Sequence, residues 1–340
     1  MKKTITIILA TCILLVSSTV YSLPTLKITI RVIDESGKPV ENARVGADLE
    51  RPKIKGVGVD TTAVIGITDS NGLFTVKGSG GSYLGFNATK EGYYMTVDHF
   101  RNFTGVSGII GFRRWKPWNP TIDVVLKKII NPIPMYVAKI QGKSSADDLP
   151  AILPEEGKLF GYDLIAKDWV VPNGQGLHSD FIFKIDVDYY NSEPLEYDAM
   201  MTLKFTNPDD GIQSFYAFRK KSSELRSAHR APITGYQDKL VTRKVRVKKE
   251  VLHSPYRDDQ NYYFRVRTKR DEQGNIIEAH YGKIYGNIRF SIPRKGDRKG
   301  KIYFSYYLNP NNNDTNVENA PEQNLFPKPK DHRGAYRFKP

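Results

Sequence analysis

The chain has 340 residues, of which 39% are hydrophobic and 11% aromatic, and its formal net charge is +14. This apolar content excludes a generally disordered chain, and the length is sufficient for two domains that each bury a core. The 27 glycines and 20 prolines follow no period, which is typical of many short strands joined by tight turns.

The first 22 residues have the pattern of a secretion signal. Lys2 and Lys3 give a charged start, Ile5–Val16 is mostly apolar, and a short polar end closes the segment at Ser22. We therefore expect cleavage after Ser22 and a periplasmic, secreted or cell-surface protein. An uncleaved anchor is the alternative, although the apolar run is shorter than the roughly 20 residues that a membrane span needs.

The single cysteine, Cys12, lies inside this predicted signal. Its surroundings faintly resemble a lipoprotein signal, but Thr11 is not the usual glycine or alanine. Cleavage after Ser22 would leave no cysteine and therefore no disulfide. It would also remove two lysines and leave a net charge of about +12.

This positive charge predicts an anionic partner. For an exported protein that partner is a polysaccharide, an acidic glycan, a lipid headgroup or an envelope protein rather than nucleic acid. The simpler alternative is that the charge only keeps the protein soluble.

The region from Leu26 to Tyr93 alternates strands and turns. Apolar residues at every second position from Leu26 to Val32 predict a half-buried strand. Asp34–Lys38 and Asp69–Gly72 have the composition of tight turns, and Glu91–Tyr93 closes a third one.

Residues 26–94 resemble the carboxypeptidase regulatory-like domain. The matching positions are turn glycines and core residues, namely Gly37, Pro39, Val40, Ala43, Val45, Gly66, Thr68, Asp69, Gly72, Phe74, Ala88, Lys90, Gly92 and Tyr93. The resemblance implies a seven-stranded immunoglobulin-like or transthyretin-like sandwich over residues 23–128, and an accessory rather than catalytic role. On this alignment Arg51–Ala63 looks like an insertion in a loop. No histidine is followed three residues later by glutamate, so the usual zinc-ligand pair is missing.

The proline-containing stretch 129–157 is predicted to be a linker that holds one short strand at Met135–Ile140. Alternating strands recur over 158–308, where tyrosines are abundant, and they predict a second antiparallel β-sandwich or jelly roll. Residues 309–340 read as a polar tail, similar to the C-terminal part of exported bacterial proteins that carry a regulatory-like domain. The predicted fold class is therefore all-β with two domains.

Catalytic signals are missing from the sequence. There is no Gly-x-Ser-x-Gly motif, and Gly78–Gly81 leads into a strand rather than a helix, so it does not suit a phosphate. His178 and Asp180, with Asp186 and Asp188, have the side chains for a metal site, but alternation with apolar residues favours a solvated strand face. Residues 311–318 lack the regular spacing of a calcium loop. We predict no catalytic residue, no metal and no cofactor.

The basic residues near the middle of the second domain carry the main functional hypothesis. Eleven lysines or arginines lie between Arg219 and Lys249, against two acidic residues. The predicted ligand-binding residues combine alternating cations with a tyrosine, namely Lys244, Arg246, Lys248, Tyr263, Arg265 and Arg267. Cations interleaved with aromatic rings suit sulfated or uronic-acid glycans.

We therefore predict an exported, non-catalytic binding protein for an anionic glycan or envelope polysaccharide. The first alternative is an assembly component that binds a partner protein through a strand edge or the tail. The second alternative is a glycan-active enzyme. A soluble, exposed sheet face is the explanation that requires no ligand.

Overall fold

The structure is a computed structural model, and it describes residues 23–53, 57–109, 112–140, 149–192, 195–248, 250–292, 299–327 and 338–340. The predicted secretion signal lies outside these residues. The chain divides into two compact units, with the boundary between Lys128 and Ile129. Every regular element in the described ranges is a β-strand, so the prediction of an all-β chain with two domains is confirmed.

The described residues of the first unit form ten strands. They are β1 (Thr25–Asp34), β2 (Arg44–Pro52), β3 (Val59–Ile67), β4 (Leu73–Ser79), β5 (Leu84–Thr89), β6 (Tyr93–Tyr94), β7 (Thr96–Phe100), β8 (Gly105–Ser107), β9 (Arg114–Lys116) and β10 (Thr121–Lys128). One sheet has the order β6-β10-β1-β9-β8, with β4 also paired to β1. In the other, β7, β5, β2 and β3 are neighbours in that order. A core of aliphatic residues fills the space between the sheets.

Two turns of the first unit use the same side-chain device. The Asp34 Oδ1 atom accepts hydrogen bonds from the backbone N–H groups of Ser36 and Lys38. Asp69 Oδ1 accepts from Asn71 and Leu73 in the same way. An aspartate that bonds its own backbone two and four residues on fixes a tight turn, so both turn predictions are confirmed.

The predicted insertion at Arg51–Ala63 is wrong. β2 and β3 form one antiparallel hairpin whose register runs from Arg44 opposite Ile67 to Pro52 opposite Val59. The segment therefore contains the end of β2 and the first half of β3. The first half of β3 is exposed on both faces, so its sequence lacks the alternation of apolar and polar residues that predicts a half-buried strand.

In the second unit, the part of the chain that the structure describes contains fifteen strands. They are β11 (Ile133–Ile140), β12 (Ala151–Ile152), β13 (Phe160–Asp163), β14 (Asp168–Trp169), β15 (Phe181–Ser192), β16 (Leu195–Lys204), β17 (Gly211–Tyr216), β18 (Ser222–Ser223), β19 (Lys239–Val247), β20 (Glu250–His253), β21 (Gln260–Arg270), β22 (Ile276–Tyr285), β23 (Arg289–Ser291), β24 (Lys301–Leu308) and β25 (Asn319–Asn324).

The second unit contains two large sheets that share one aromatic core. The first sheet has the order β17-β21-β22-β24-β11-β25, with β12 and β23 also paired to β24. The second sheet has the order β14-β13-β15-β16-β19-β20. Phe181 of the second sheet meets Phe264 of the first edge to face, with ring centroids 5.2 Å apart. Phe183 and Phe304 extend the same contact, so the core lies between the sheets.

The boundaries predicted for the linker and the tail are corrected. β11 lies inside 129–157, yet it is bonded to β24 on one side and β25 on the other. β25 in turn lies inside the predicted tail, and Phe338 is buried against Tyr307. Prolines at the start of β11 and on either side of β12 gave this segment a linker-like composition, although β11 is a core strand. No helix in the described residues is long and apolar enough to cross a membrane.

Candidate anion-binding site

Strand β19 carries the predicted cations on the opposite face from the one expected. Arg246 lies opposite Tyr197, and Lys244 lies opposite Ala199. Directly opposed residues of neighbouring strands share a face, and Ala199 belongs to the core between the sheets. The cations therefore point to the inner side of the sheet, and Val245 points outward. The alternation was correct, but the assumption that the charged face is the solvated face was wrong.

Lys244 lies at the margin of the core, over aromatic rings. Its ammonium group is 5.2 Å from the centre of the Tyr256 ring and 5.3 Å from that of Phe290. It donates a hydrogen bond to the Phe290 carbonyl at 3.0 Å. Partial burial, together with the nearby Arg289, lowers the pKa of Lys244. The charged ammonium is thus incompletely solvated, and the positive charge of Arg289 further disfavours it.

Arg246 is half-buried beside Tyr197, and its Nε atom is enclosed without a hydrogen-bond partner. An N–H donor left unpaired in this way costs free energy, because it has lost water without gaining an acceptor. Burial raises the pKa of Tyr197, and the charge of Arg246 acts in the opposite direction. Among the described residues, Arg246 thus keeps a positive charge that no carboxylate neutralises and an enclosed Nε without an acceptor.

Arg289 brings a third cation from the other sheet. It begins β23, which pairs with β24, and its side chain is exposed. Burial raises the pKa of Tyr256, whereas a hydrogen bond from the Phe290 N–H group and the charge of Arg289 lower it. Arg289 directly precedes Phe290, whose backbone N–H and C=O groups bond Tyr256 and Lys244, so the backbone of Arg289 lies beside both residues.

These residues define what we call the three-cation cluster: Lys244, Arg246 and Arg289, with the rings of Tyr197 and Tyr256. Within the described part of the chain, none of the three cations forms an ion pair with a carboxylate. Sequence reasoning missed Arg289 and Tyr256, because side-chain packing between segments distant in the chain brings Tyr256 and Phe290 to Lys244. The single arginine between Ile288 and Phe290 gave no signal of its own.

Lys248 is not part of the cluster. It follows the last residue of β19 at the turn into β20 and adopts a left-handed backbone conformation with φ of +50°. Its backbone N–H group donates to Glu196 at 2.7 Å, while its side chain is exposed. The strand ends before the third predicted cation, so the alternation does not extend to it.

Tyr263 and Arg265 are structural residues. The Tyr263 ring stacks on Phe215 at 4.4 Å, and its hydroxyl accepts a hydrogen bond from the Ala228 N–H group. Arg265 is buried, and its guanidinium donates to the carbonyls of Asp209 and Ile233. The prediction that they face a ligand is wrong, because the segments that follow β17 and β24 cover this side of the sheet as well.

Arg267 forms a buried ion-pair network. Its Nε and Nη2 atoms donate to Asp180 at 2.7 and 2.8 Å, and Nη2 also donates to Asp163 at 3.1 Å. The Asp210 carboxylate accepts the backbone N–H groups of Arg267 and Thr268, which holds the irregular backbone there. Arg267 has φ of +58°, at a point where the β21–β22 register shifts. All of its charge is neutralised internally.

The acidic residues considered for a metal do not converge. Asp180 is committed to Arg267, and Asp186 pairs with Lys184 at 2.8 Å. In the residues that the structure describes, no group of three or more histidine, cysteine, aspartate or glutamate side chains is arranged to hold an ion.

A second polar cluster lies on the sheet that contains β22 and β24, on the face turned away from the aromatic core. The Lys283 ammonium is 3.3 Å from Ser227 Oγ, and it lies over the rings of Tyr285 and Tyr307. Tyr285 donates its hydroxyl hydrogen to the Pro340 carbonyl at 2.9 Å. Lys283 and Ser227 are fully buried. With no exposed face, this cluster serves the packing of the sheet.

A scan of protein-family models and a search of curated proteins gave no match. Among solved structures, 3-chlorocatechol 1,2-dioxygenase from Rhodococcus opacus 1CP aligns over 32% of this chain and 62% of its own, less than two thirds of its length, with 14% identity and a TM-score of 0.24. A protein of Bacteroides uniformis ATCC 8492, for which carbohydrate binding has been suggested, aligns over 84% of this chain and 98% of its own. Its identity is 10% and its TM-score 0.18. At such TM-scores neither similarity supports an argument about fold or function.

Proposed function

We propose that this is an exported, non-catalytic binding protein whose second unit recognises an anionic glycan through the three-cation cluster. The observation that carries the proposal is that Lys244 and Arg246 lie on one face of β19, and that Arg289 directly precedes Phe290, whose carbonyl Lys244 bonds. None of the three has a carboxylate partner among the described residues. Bringing like charges together costs free energy unless an anion from outside offsets the repulsion. A bound carboxylate or sulfate would supply that charge.

The donor types suit these groups. A guanidinium presents a planar fork of N–H donors that matches the oxygens of a carboxylate or sulfate, and an ammonium adds a point charge. The Nε atom of Arg246 is enclosed, so the anion would approach the terminal nitrogens of its guanidinium. Because Lys244 and Arg246 are half-buried, an ion pair formed there is less screened by salt than one on an open surface.

Aromatic surface beside the cluster supports an extended ligand rather than a small ion. Tyr216 is 61% exposed. The guanidinium of Arg257, the neighbour of Tyr256 in the chain, lies 4.8 Å from the centre of its ring. Tyr216 lies opposite Gln260 in the β17–β21 pair, so its ring is on the same face of the sheet as Tyr262. An exposed ring next to a cation is a surface on which a sugar can stack while its acidic group is paired.

The test is retention on immobilised heparin and polygalacturonate, with dextran as the uncharged matrix. We expect the protein to bind both acidic polymers and to elute with salt. Lys244→Gln, Arg246→Gln and Arg289→Gln should each weaken binding about tenfold, the equivalent of about 1.4 kcal/mol and of one charge-assisted hydrogen bond.

Lys239→Gln is the matched control, because Lys239 lies on the same strand, is exposed and points to the outer face. It removes the same charge from the protein without touching the cluster. Equal weakening by Lys239→Gln would mean that net charge alone causes retention. Failure of the unchanged protein to bind either polymer would also overturn the proposal.

A further inference from the structure

Strand β3 of the first unit is an uncovered sheet edge. Among the described residues its only hydrogen-bonded neighbour is β2. Its outward-facing side chains include Val59, Ile65 and Ile67, which are 49%, 56% and 63% exposed. A nine-residue edge with exposed β-branched side chains is a template for pairing with a further strand.

The hydrogen-bond pattern shows which backbone groups are available. Lys53 donates to the Gly58 carbonyl at 3.1 Å and Thr68 to the Ala43 carbonyl at 2.9 Å. Bonded and non-bonded positions alternate along an antiparallel pair, so the even-numbered residues of β3 bond β2. The odd-numbered ones, from Val59 to Ile67, point their N–H and C=O groups to the free edge.

The edge lacks the usual protections against pairing. Folded proteins block such edges with lysine, proline or a β-bulge. β3 contains no lysine or proline, its only charged residue is Asp60, and its register with β2 is unbroken.

We propose that β3 pairs antiparallel with β3 of a second copy of this chain, about a two-fold axis at Ala63. This register uses the free groups of the odd-numbered residues and places Val59 opposite Ile67 and Thr61 opposite Ile65. Asp60 then lies opposite Gly66, so no like charges meet. The strand is thus complementary to itself in sequence as well as in backbone pattern, which favours a second copy over an unrelated strand.

Such pairing would join two sheets into one continuous sheet across the dimer. It would also place apolar side chains of the two strands side by side on the outer face, where cross-strand pairs of β-branched residues are stabilising. The anion-binding proposal does not depend on this pairing, because the residues involved lie in different units.

The first experiment is the molar mass in solution, measured by light scattering over a concentration series. We expect a dimer that Ile65→Lys converts to a monomer, through a rise of at least tenfold in the dimer dissociation constant. Ile277→Lys is the matched control, because Ile277 is 52% exposed in a strand of the second unit. Circular dichroism should show that both variants remain folded.

The second experiment tests the register through an engineered disulfide. In a Cys12→Ser background, Ala63→Cys places two thiols opposite each other at the axis. Opposed Cα atoms in a bonded pair are about 5.5 Å apart, which a disulfide can bridge. Thr61→Cys is the control, because its partner in the register is Ile65 and not Thr61 of the other chain.

We expect oxidised, covalently linked dimer for Ala63→Cys and at most a trace for Thr61→Cys. A protein that stays monomeric at all concentrations would overturn the proposal. A strand of another protein would then be the alternative partner for β3. A dimer unaffected by Ile65→Lys, or equal crosslinking of the two cysteine variants, would also overturn it.

Discussion

Replacing Arg267 by alanine should strongly destabilise the second unit, because its ion pairs with Asp163 and Asp180 are buried. The Arg267, Asp163 and Asp180 side chains are 18%, 5% and 1% exposed. Arg267→Ala would leave two carboxylates in a protein interior without their cation. Asp163 would keep hydrogen bonds from four backbone N–H groups, those of Ile165, Ala166, Leu177 and His178. Asp180 would keep one, from Leu164 at 2.9 Å.

The magnitude follows from this difference between the two carboxylates. Removal of one partner from a buried ion pair costs about 3–5 kcal/mol, because the remaining charge stays desolvated. Asp163 is well compensated by its backbone donors, so most of the cost falls on Asp180. We therefore expect a loss of about 3–5 kcal/mol in the free energy of unfolding of the second unit.

Arg270→Ala is the matched control on the same strand. Arg270 donates to both oxygens of Asp209 at 2.8 and 2.7 Å, so its geometry resembles that of Arg267. These side chains are 40% and 29% exposed, however, and water screens an exposed pair, so its loss should cost far less than that of Arg267. The two variants remove the same group from the same strand and differ mainly in burial.

Unfolding by urea, followed through the emission of Trp169, measures the second unit alone. Trp169 is buried in its core, and the other two tryptophans, Trp115 and Trp118, lie in the first unit and are replaced by phenylalanine in all variants. A loss for Arg267→Ala no greater than that for Arg270→Ala would refute the reasoning. The network would then be solvated in solution despite its burial here.

Two further predictions concern acid stability and packing. Burial raises the pKa of Asp163, but its backbone hydrogen bonds outweigh this and hold the pKa below its ordinary value. The second unit should therefore lose stability as the pH falls below about 4, and urea midpoints of Asp163→Asn should change less over that range. In the first unit, Gly66→Ala would place a Cβ atom 2.1 Å from the Phe74 ring. This clash should lower the free energy of unfolding, measured by thermal denaturation, by about 1–3 kcal/mol. Gly85→Ala should cost less, because the nearest atom to its Cβ would be the Tyr83 hydroxyl at 3.3 Å, the end of a side chain.

The first unit was the more predictable from sequence, because its signals are local. Asp34 and Asp69 each fix a turn through bonds to their own backbone, within four residues. The alternation of Leu26, Ile28 and Ile30 coincides with complete burial of those side chains. Where the strand lies at an exposed edge, as from Val59 to Ala63, no burial pattern exists and the strand was missed.

The second unit was less predictable because alternation reports two faces without saying which is buried. In β19 the periodicity of Lys244 and Arg246 was recognised, but the inner face carries the charges there. The reason is position in the sheet: β19 lies next to the edge strand β20, near the margin of the core. Long cationic side chains can fill such a margin with their apolar stems and keep their charged ends near water.

Arg246, Arg265 and Arg267 show what sequence alone leaves undetermined about an arginine. All three alternate with apolar residues, yet Arg265 donates to backbone carbonyls and Arg267 to carboxylates, while the Nε of Arg246 has no acceptor. Those acceptors come from segments distant in the chain, such as Asp180, which lies 87 residues from Arg267. Availability of a cation for a ligand is thus a property of the tertiary contacts around it. This is why the candidate site retains Arg246 and gains Arg289, but loses Arg265 and Arg267.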